Sequence, residues 1–437
     1  MKKILILLII SPSLLYGQVW EKTFGGSLYD DSRSIQQTND GGYIICGWTH
    51  SFGNGNGDVY LIKTNGNGIE QWSQTFGGGD GDGGRNVQQT NDGGYIICGD
   101  TESFSNGERD IYIIKTDENG IEEWNNTYGG INNEEGYCIR QTTDGGYIFC
   151  GRTESFGNGF VSKPDIYMVK IDENGIEEWY KTYGGLGLEV GYSIQQTTDG
   201  GYVICGVTEN FNSGNDDIYI IKTDSNGDSL WTKTYGDQIN FEVGNTIQQT
   251  TDGGYIISGQ SNSNINGIIN RDILLIKIDE NGIEEWYKTY GEINILDFGS
   301  SGQQTSDGGY IVTGHKENSN QDIDVYLLKT DEYGDTLWTK KFGGSENDKS
   351  YSIHQTTDDG YIICGYSESF NLYPDIYVIK TDLEGNITSS FNISNTSSNK
   401  KLKTTVEILG RKIKNQSNSP IIEIYDDGSI IKKIVID

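Results

Sequence analysis

Seven tryptophans divide this chain into near-equal lengths, and that spacing restricts its architecture more than any other feature. Trp20, Trp72, Trp124, Trp179, Trp231, Trp286 and Trp338 follow one another at intervals of 52, 52, 55, 52, 55 and 52 residues. Each opens a W-x-x-T-[FY]-G-like segment, WEKTFGG at the first, WYKTYGG at the fourth and WTKKFGG at the last. A period of about 50 residues marks sheet units stacked or arranged radially, because one such unit is too small to bury its own core.

The first complete unit reads SIQQTNDGGYIICG, a loop, DVYLIKTNGNG and IEQWSQTFGG. It predicts four strands, over residues 34–38, 42–47, 58–64 and 69–76. Tyr, Ile, Val and Thr fill these runs, while Asp-Gly, Asn-Gly and Gly-Gly punctuate them, the pattern of short antiparallel strands joined by tight turns. No stretch keeps a 3.6-residue apolar period. The expected fold is all-β: a seven-bladed propeller with four-stranded blades, which protects strand edges that an open sheet would expose.

The chain ends say how the ring closes. Trp20 comes before any third strand with which it could pair, and the seventh unit has Ser389 where its tryptophan should fall. Lending the first WEKTFGG strand to the last blade completes both. Each repeated Trp shares a strand face with the aromatic four residues on, so both are expected to fill space between sheets. Replacing a buried copy by alanine should cost about 3–5 kcal/mol. Trp48 breaks the pattern, falling just after the predicted second strand, which makes it a candidate for surface binding.

Residues 1–17 begin with two lysines and an apolar run ending in small residues, the layout of a secretory signal peptide. Five of the six cysteines, Cys46, Cys98, Cys150, Cys205 and Cys364, occupy one place in the GYIICG strand, where the fifth and sixth units have Ser258 and Thr313. They read as small core residues. Cys138 stands apart, nearly opposite Cys150 across a TTDGG turn, and a disulfide between them would be compatible with export.

The chain has 63 acidic and 32 basic residues, a formal charge of −31. Residues 391–437 carry eight basic and five acidic side chains, so the acidity belongs to the repeats. Such a body disfavours nucleic acid and anionic membranes as partners. Cations, cationic proteins and neutral glycans remain, and no segment after the leader is long enough to span a membrane.

Tracing the strands puts the TxDGG and DENG turns on one face and the crossings, with the varied loops between second and third strands, on the other. Varied loops on a repeated scaffold are where recognition belongs. Two acidic series converge there: Asp30, Asp82, Glu134, Glu189, Glu242, Asp297 and Asp348 in the crossings, and Asp58, Asp110, Asp165, Asp217, Asp272, Asp324 and Asp375 at the third strands. One ion cannot serve a whole ring, because calcium needs its oxygens within about 2.3–2.6 Å. Local calcium within single blades, above all at Asp80 and Asp82 in GGGDGDGG, is the only cofactor the sequence suggests; for most of these acids, accepting backbone N–H bonds is the simpler role. Lys63 and its six equivalents look architectural. Near the axis, Gln36, Gln88, Gln195, Gln248 and Gln303 share a position with Arg140 and His354, the two residues there able to select a ligand.

Catalytic signatures are weak. The three histidines, His50, His315 and His354, fall in different units, and the GG pairs join strands instead of opening a helix. A hydrolase or lyase would have to assemble its acids from several blades, and no catalytic residue is identified.

The tail supplies a different kind of signal. After a polar linker, residues 392–403, the segments TVEILGRKIK and IEIYDDGSIIKKIVI carry Leu409, Gly410, Arg411, Asp427, Gly428, Lys432 and Lys433. Residues 404–437 thereby resemble the C-terminal sorting domains of cargo of the Bacteroidota type IX secretion system. That resemblance implies a small β domain, recognition by export machinery, and release or attachment at the cell surface. The QQTTDGGYIICG…DIYLIKTDENG…W pattern over residues 18–391 also resembles propeller repeats of secreted bacterial proteins, a group without one activity. The expectation is a secreted or surface-bound binding or adhesion propeller recognising glycan or protein. The alternatives are a polysaccharide-processing hydrolase or lyase and a structural envelope component.

Overall fold

The computed structural model describes residues 19–157, 163–209, 216–236, 240–265, 268–292, 295–317 and 322–387, and three strands of the tail. The repeats form seven four-stranded antiparallel sheets arranged as propeller blades. Blade 1 consists of Asp30–Gln37, Tyr43–Thr49, Asp58–Thr64 and Glu70–Phe76, from the axis outward. Blade 7 is completed by the first strand of the chain, Trp20–Phe24, which pairs antiparallel with Asp375–Thr381 in the register Trp20↔Lys380. The closure expected from the missing eighth tryptophan is therefore the one observed.

Each inner strand is longer than the sequence pattern suggested, because it begins at the acid of the crossing. A bulge makes this possible. In blade 1 the register passes from Ser32↔Gly47 to Ser34↔Cys46, leaving Arg33 without a partner and bending the strand. The bulge brings the Asp31 carbonyl against Gly47, where a Cβ would collide with it; that is why GYIICG ends in glycine. The DGG turns follow a similar logic. Gly41 adopts φ +80, and a Cβ on Gly42 would strike the Thr64 carbonyl and the Lys63 ammonium.

Two rings of glutamine knit the blades. Gln36 Oε1 accepts from Gln89 N of the next blade at 2.7 Å, and Gln88, Gln195 and Gln248 repeat this. The glutamine that follows accepts a turn N–H from the preceding blade, and the last of these bonds, Thr357 N to Gln37 Oε1 at 2.8 Å, spans the closure. The axial positions of Gln36, Gln88, Gln195 and Gln248 are thus inter-blade ties. The repeated lysines are architectural, as read from the sequence. Lys63 Nζ lies 2.9 Å from Asp40 Oδ2 and also donates to the Thr64 carbonyl. This bridge of third-strand lysine to turn aspartate recurs in all seven blades.

The repeated tryptophans do pack between sheets, but half-buried. Trp72 meets Tyr95 of the next blade edge-on at 5.8 Å and lies against Gly120, whose φ is +76. Trp20 makes the same contacts to Tyr43 and Gly68 across the closure. Each tryptophan is a latch onto its neighbour with one ring edge in solvent, so the full cost expected of a buried indole is too high. All six cysteines are buried free thiols. Cys138 and Cys150 are direct cross-strand partners, yet no disulfide joins them: the Cys138 thiol donates to the Ile194 carbonyl and Cys150 to that of Gly191, both in the next blade.

Blade 5 departs from the pattern. Its second and third strands run to 11 residues each, Tyr255–Ile265 and Ile268–Ile278, and pair as far as Ile265↔Ile268 where a loop was expected. The chain divides into Met1–Ser389 and Ser390–Asp437. The second unit holds a three-stranded antiparallel sheet, Leu402–Glu407, Pro420–Tyr425 and Ile430–Ile434, with Ile421 opposite Lys433 and Ile422 opposite Lys432. The signal segment and Leu409, Gly410, Arg411, Asp427 and Gly428 lie outside the described residues.

Candidate functional site

The bulge that bends each inner strand also leaves one unpaired residue per blade beside the axis. These seven are Arg33, Arg85, Tyr137, Tyr192, Asn245, Ser300 and Tyr351, and all line an axial cavity of about 390 Å³. Architecture repeats here and chemistry does not. The sequence reading missed this set, although its signal was available: it is the position three residues after each crossing acid.

The variation is concentrated in one sector. In blades 7, 1, 2 and 3 the bulge residues are Tyr, Arg, Arg and Tyr, and the second strand adds Tyr366, Trp48, Asp100 and Arg152 at one equivalent position. In blades 4 and 5 that second-strand position holds Val207 and Gln260. Arg33 pairs with the buried Asp31 at 2.8 Å, and its guanidinium lies 4.0 Å from the Tyr351 ring and 5.0 Å from the Trp48 ring. Arg85 bonds Asp100 at 2.6 Å and Glu135 at 3.3 Å, with Tyr137 beneath it at 4.9 Å. Arg152 and Arg109 reach the same Glu135, and Tyr137 donates its hydroxyl to it at 2.6 Å. Against its burial, Arg85, the Tyr137 hydroxyl and Arg152 together hold Glu135 below the usual range.

Trp48 belongs to the second strand, opposite Asp31 and Val59, and does not follow it. The strand is longer than predicted, so the indole is held on a sheet. Its Nε1–H is buried without a hydrogen-bond partner. Trp48 and His50 line a second cavity of about 300 Å³ with Asp100, Glu102 and Arg109; Arg85 lines both this cavity and the axial one.

Arg140 and His354, the residues that break the axial glutamine ring, both line the axial cavity. Arg140 has no carbonyl with which to tie the next blade. Its Nη1 instead donates to Asn86 Oδ1 and the Ile139 carbonyl, each at 2.7 Å. Among the described residues no carboxylate pairs with it. Burial, aided by Arg140, pushes His354 down to about 4, so its imidazole is neutral near pH 7. His315 is not a site residue: it is buried, stacks on Phe298 at 4.4 Å, and is pushed down to about 3 chiefly by burial.

Asp80 and Asp82 are not arranged as a pair. Asp82 is buried and accepts from Gly78 N at 2.7 Å, from Ser103 Oγ at 2.6 Å and from the Thr101 hydroxyl, while Asp80 is exposed. Most of the acids in that series hold their crossings in this way, as expected of carboxylates that cap turns. Among the described residues no three acidic, histidine or cysteine side chains converge as metal ligands, and no helix is long and apolar enough to cross a membrane.

No family model and no curated protein sequence matches the chain. Solved structures share its fold. Two structures of a polysaccharide lyase, ulvan lyase, align over 86% of this chain and 97% of theirs at 11% identity, with TM-scores of 0.53 and 0.52; the second is bound to -[GlcA(1-4)Rha3S]-. The Pan2 WD40 domain of Neurospora crassa covers 85% of this chain and 98% of its own at 10% identity, with a TM-score of 0.48. At these identities the likeness shows a β-propeller.

Proposed function

We propose that this protein is an exported recognition propeller that binds an anionic extracellular glycan at the axial cavity and the sector formed by blades 7, 1, 2 and 3. One observation carries the reading: in a chain of net charge −31, the Arg140 guanidinium faces a polar cavity without a carboxylate partner. A uronate carboxylate or a sulfate ester supplies the charge that Arg140 lacks. Around it, Tyr137, Tyr192 and Tyr351 offer the flat faces and hydroxyls that sugars use. Trp48, with its unpartnered indole N–H, extends the surface outward along Arg85. The tail's likeness to sorting domains supports placement at the cell surface.

Elimination or hydrolysis is the weaker reading, because the cavity lacks a good base. Burial raises the phenols of Tyr137 and Tyr351 far above their ordinary value, and His354 holds a proton only weakly. The deciding experiment exposes the full chain to sulfated, uronate-rich and neutral polysaccharides and measures retained polymer and newly formed chain ends together. Saturable retention of the charged polymers without new ends is expected, with Arg140→Gln losing most of it. Protein-dependent release of new ends would make the protein an enzyme, and equal retention of neutral polymers would remove Arg140 from recognition.

A further inference from the structure

The strongest unexplained chemistry lies at the blade junctions, away from the axial cavity. Six of the seven crossing glycines are pressed between two carboxylates from different blades. A Cβ at Gly25 would collide with Asp375 Oδ1 and Asp30 Oδ2, one at Gly77 with Asp58 and Asp82, and one at Gly129 with Asp110 and Glu134. The acid of the following inner strand is well supplied with donors: Asp30 accepts from Gly26 N, from Ser51 Oγ and from the Thr49 hydroxyl. Its partner is not. Asp110 Oδ2 accepts one loop N–H, from Asn106 at 2.9 Å, while Oδ1 is buried without a hydrogen bond. Asp375 repeats this, with Asn371 on one oxygen and Oδ1 orphaned. Asp110 and Asp375 are 0% and 5% exposed, so bulk water does not freely solvate the orphaned oxygens. Two facing carboxylates with an orphaned oxygen are relieved by a cation or by a shared proton between them.

One junction has a built-in answer. Between blades 5 and 6, Lys316 stands where blades 1, 2 and 3 have Thr49, Thr101 and Thr153, and its ammonium lies 3.4 Å from Asp297 Oδ2 and 3.0 Å from Glu292. The facing Asp272 is held by the Asn270 amide at 2.9 and 3.0 Å. A cation of the chain itself occupies that junction.

We propose that the junctions at Asp375 and Asp30 and at Asp110 and Glu134 bind calcium, which does for them what Lys316 does between blades 5 and 6. Calcium suits the set because its ligands are all oxygens and it tolerates irregular geometry. The two carboxylates provide only part of its coordination. At the closing junction a cavity of about 530 Å³, lined by Thr23, Ser27, Asn371 and glycine backbone, has room for hydroxyl, carbonyl and water ligands. There the ion would clasp the first strand of the chain to blade 1 and so stabilise ring closure.

The test is calorimetric titration of calcium into the full chain after chelator treatment, at about pH 7, with the melting temperature followed in parallel. Saturable binding of at least two ions per chain, with a rise in melting temperature, is expected. Asp375→Asn should lose one ion. Thr49→Lys copies the blade 6 solution into the closing junction, so it should also lose one ion and melt higher than wild type without calcium. The second variant decides the matter if the first does not fold. The proposal is overturned if calcium gives no saturable heat; stability that then rises on acidification in chelator would show that the pairs share protons instead. Undiminished calcium uptake by Thr49→Lys overturns it equally.

Discussion

The two rims of this propeller are built from the same repeat and put to different use. On the rim of the short turns every blade makes the same bonds, a lysine bridging to its turn aspartate and a glutamine reaching the neighbouring blade, and six of the seven DGG-type turns place a glycine at positive φ. Toward the varied loops, the backbone repeats as faithfully but the side chains at the bulge do not, and blades 7, 1, 2 and 3 collect most of the arginine and aromatic residues. Repetition marks positions set by backbone geometry and inter-blade bonding. Departure from repetition, at positions that geometry leaves open, marks positions available for recognition. The difference also separates stability from binding, so variants on the two rims should fail in different assays.

The largest effect should come from a glycine forced by the bulge. In Gly99→Val the new Cβ meets the Gly83 carbonyl, and backbone cannot move aside as a side chain can. A loss of about 3 kcal/mol or more in urea unfolding is expected, and a loss below about 1 kcal/mol would show that the bulge is soft. Trp72→Ala should come next at about 2–3 kcal/mol, below the range for a fully buried indole, because one edge of the ring is already in solvent. The contrast is Trp48→Ala, which should alter stability by less than about 1 kcal/mol while weakening polymer retention. A Trp48 variant that unfolds as readily as the Trp72 variant would erase the distinction between latch and binding surface.

Much of this division was legible in the sequence. The tryptophan spacing gave blade number and closure because both depend on period alone, and the lysine series reads as structural because a group copied into every blade is rarely a unique site. The bulge was not legible. It lies ahead of the apolar run that marks the first strand, so Arg33 and Tyr137 read as part of the crossing until the register Ser32↔Gly47, Ser34↔Cys46 is known. Trp48 was assigned past the end of its strand for a related reason: strand pairing continues to Thr49, beyond the glycine that looks like a terminator.

Acidification should act on the two regions in opposite directions. On the turn rim, hydrogen bonds to Thr38, Lys63 and Gly42 outweigh burial and lower Asp40 to about 2, and Asp199 is lowered to about 2 in the same way. A depressed folded-state value stabilises above the unfolded value, about 4, and that contribution is lost as pH falls toward the folded value. These turn carboxylates are more than half exposed, so each contributes modestly. At the junctions, burial raises Asp58, Asp110 and Asp375, a penalty that accrues as pH rises above the unfolded value, about 4, and is complete above the folded values. In chelator, stability should therefore pass through a maximum near about pH 4 and fall on both sides. A flat profile above about pH 4 would mean that the junction acids carry no penalty.

Arg140→Gln sharpens the comparison at a single residue. It restores the amide that four other blades use, offering an Oε1 to Gln196 N of blade 4 as Gln88 does to Gln141 N. The new bond replaces the one that Arg140 Nη1 makes to Asn86 of blade 2, so the variant should change stability by less than about 1 kcal/mol while losing retention of charged polymer. A variant both less stable and unable to bind would make Arg140 a structural member of the ring.

The smallest effect tests the turn rim at the place where it breaks its own rule. Six DGG turns put glycine at the left-handed position, but blade 7 has Asp359 there, with φ +62, the only described residue other than glycine at positive φ. Its carboxylate accepts the Ser306 hydroxyl at 3.1 Å on an exposed surface, a bond of small value. Asp359→Gly removes about 1 kcal/mol of backbone strain and adds chain entropy to the unfolded state of about 0.5–1 kcal/mol. Because aspartate tolerates this conformation better than most residues, the two nearly cancel. A gain of no more than about 0.5 kcal/mol is expected. A clear loss would show that the bond to Ser306, which joins the turn of blade 6 to that of blade 7, contributes more than its exposure suggests.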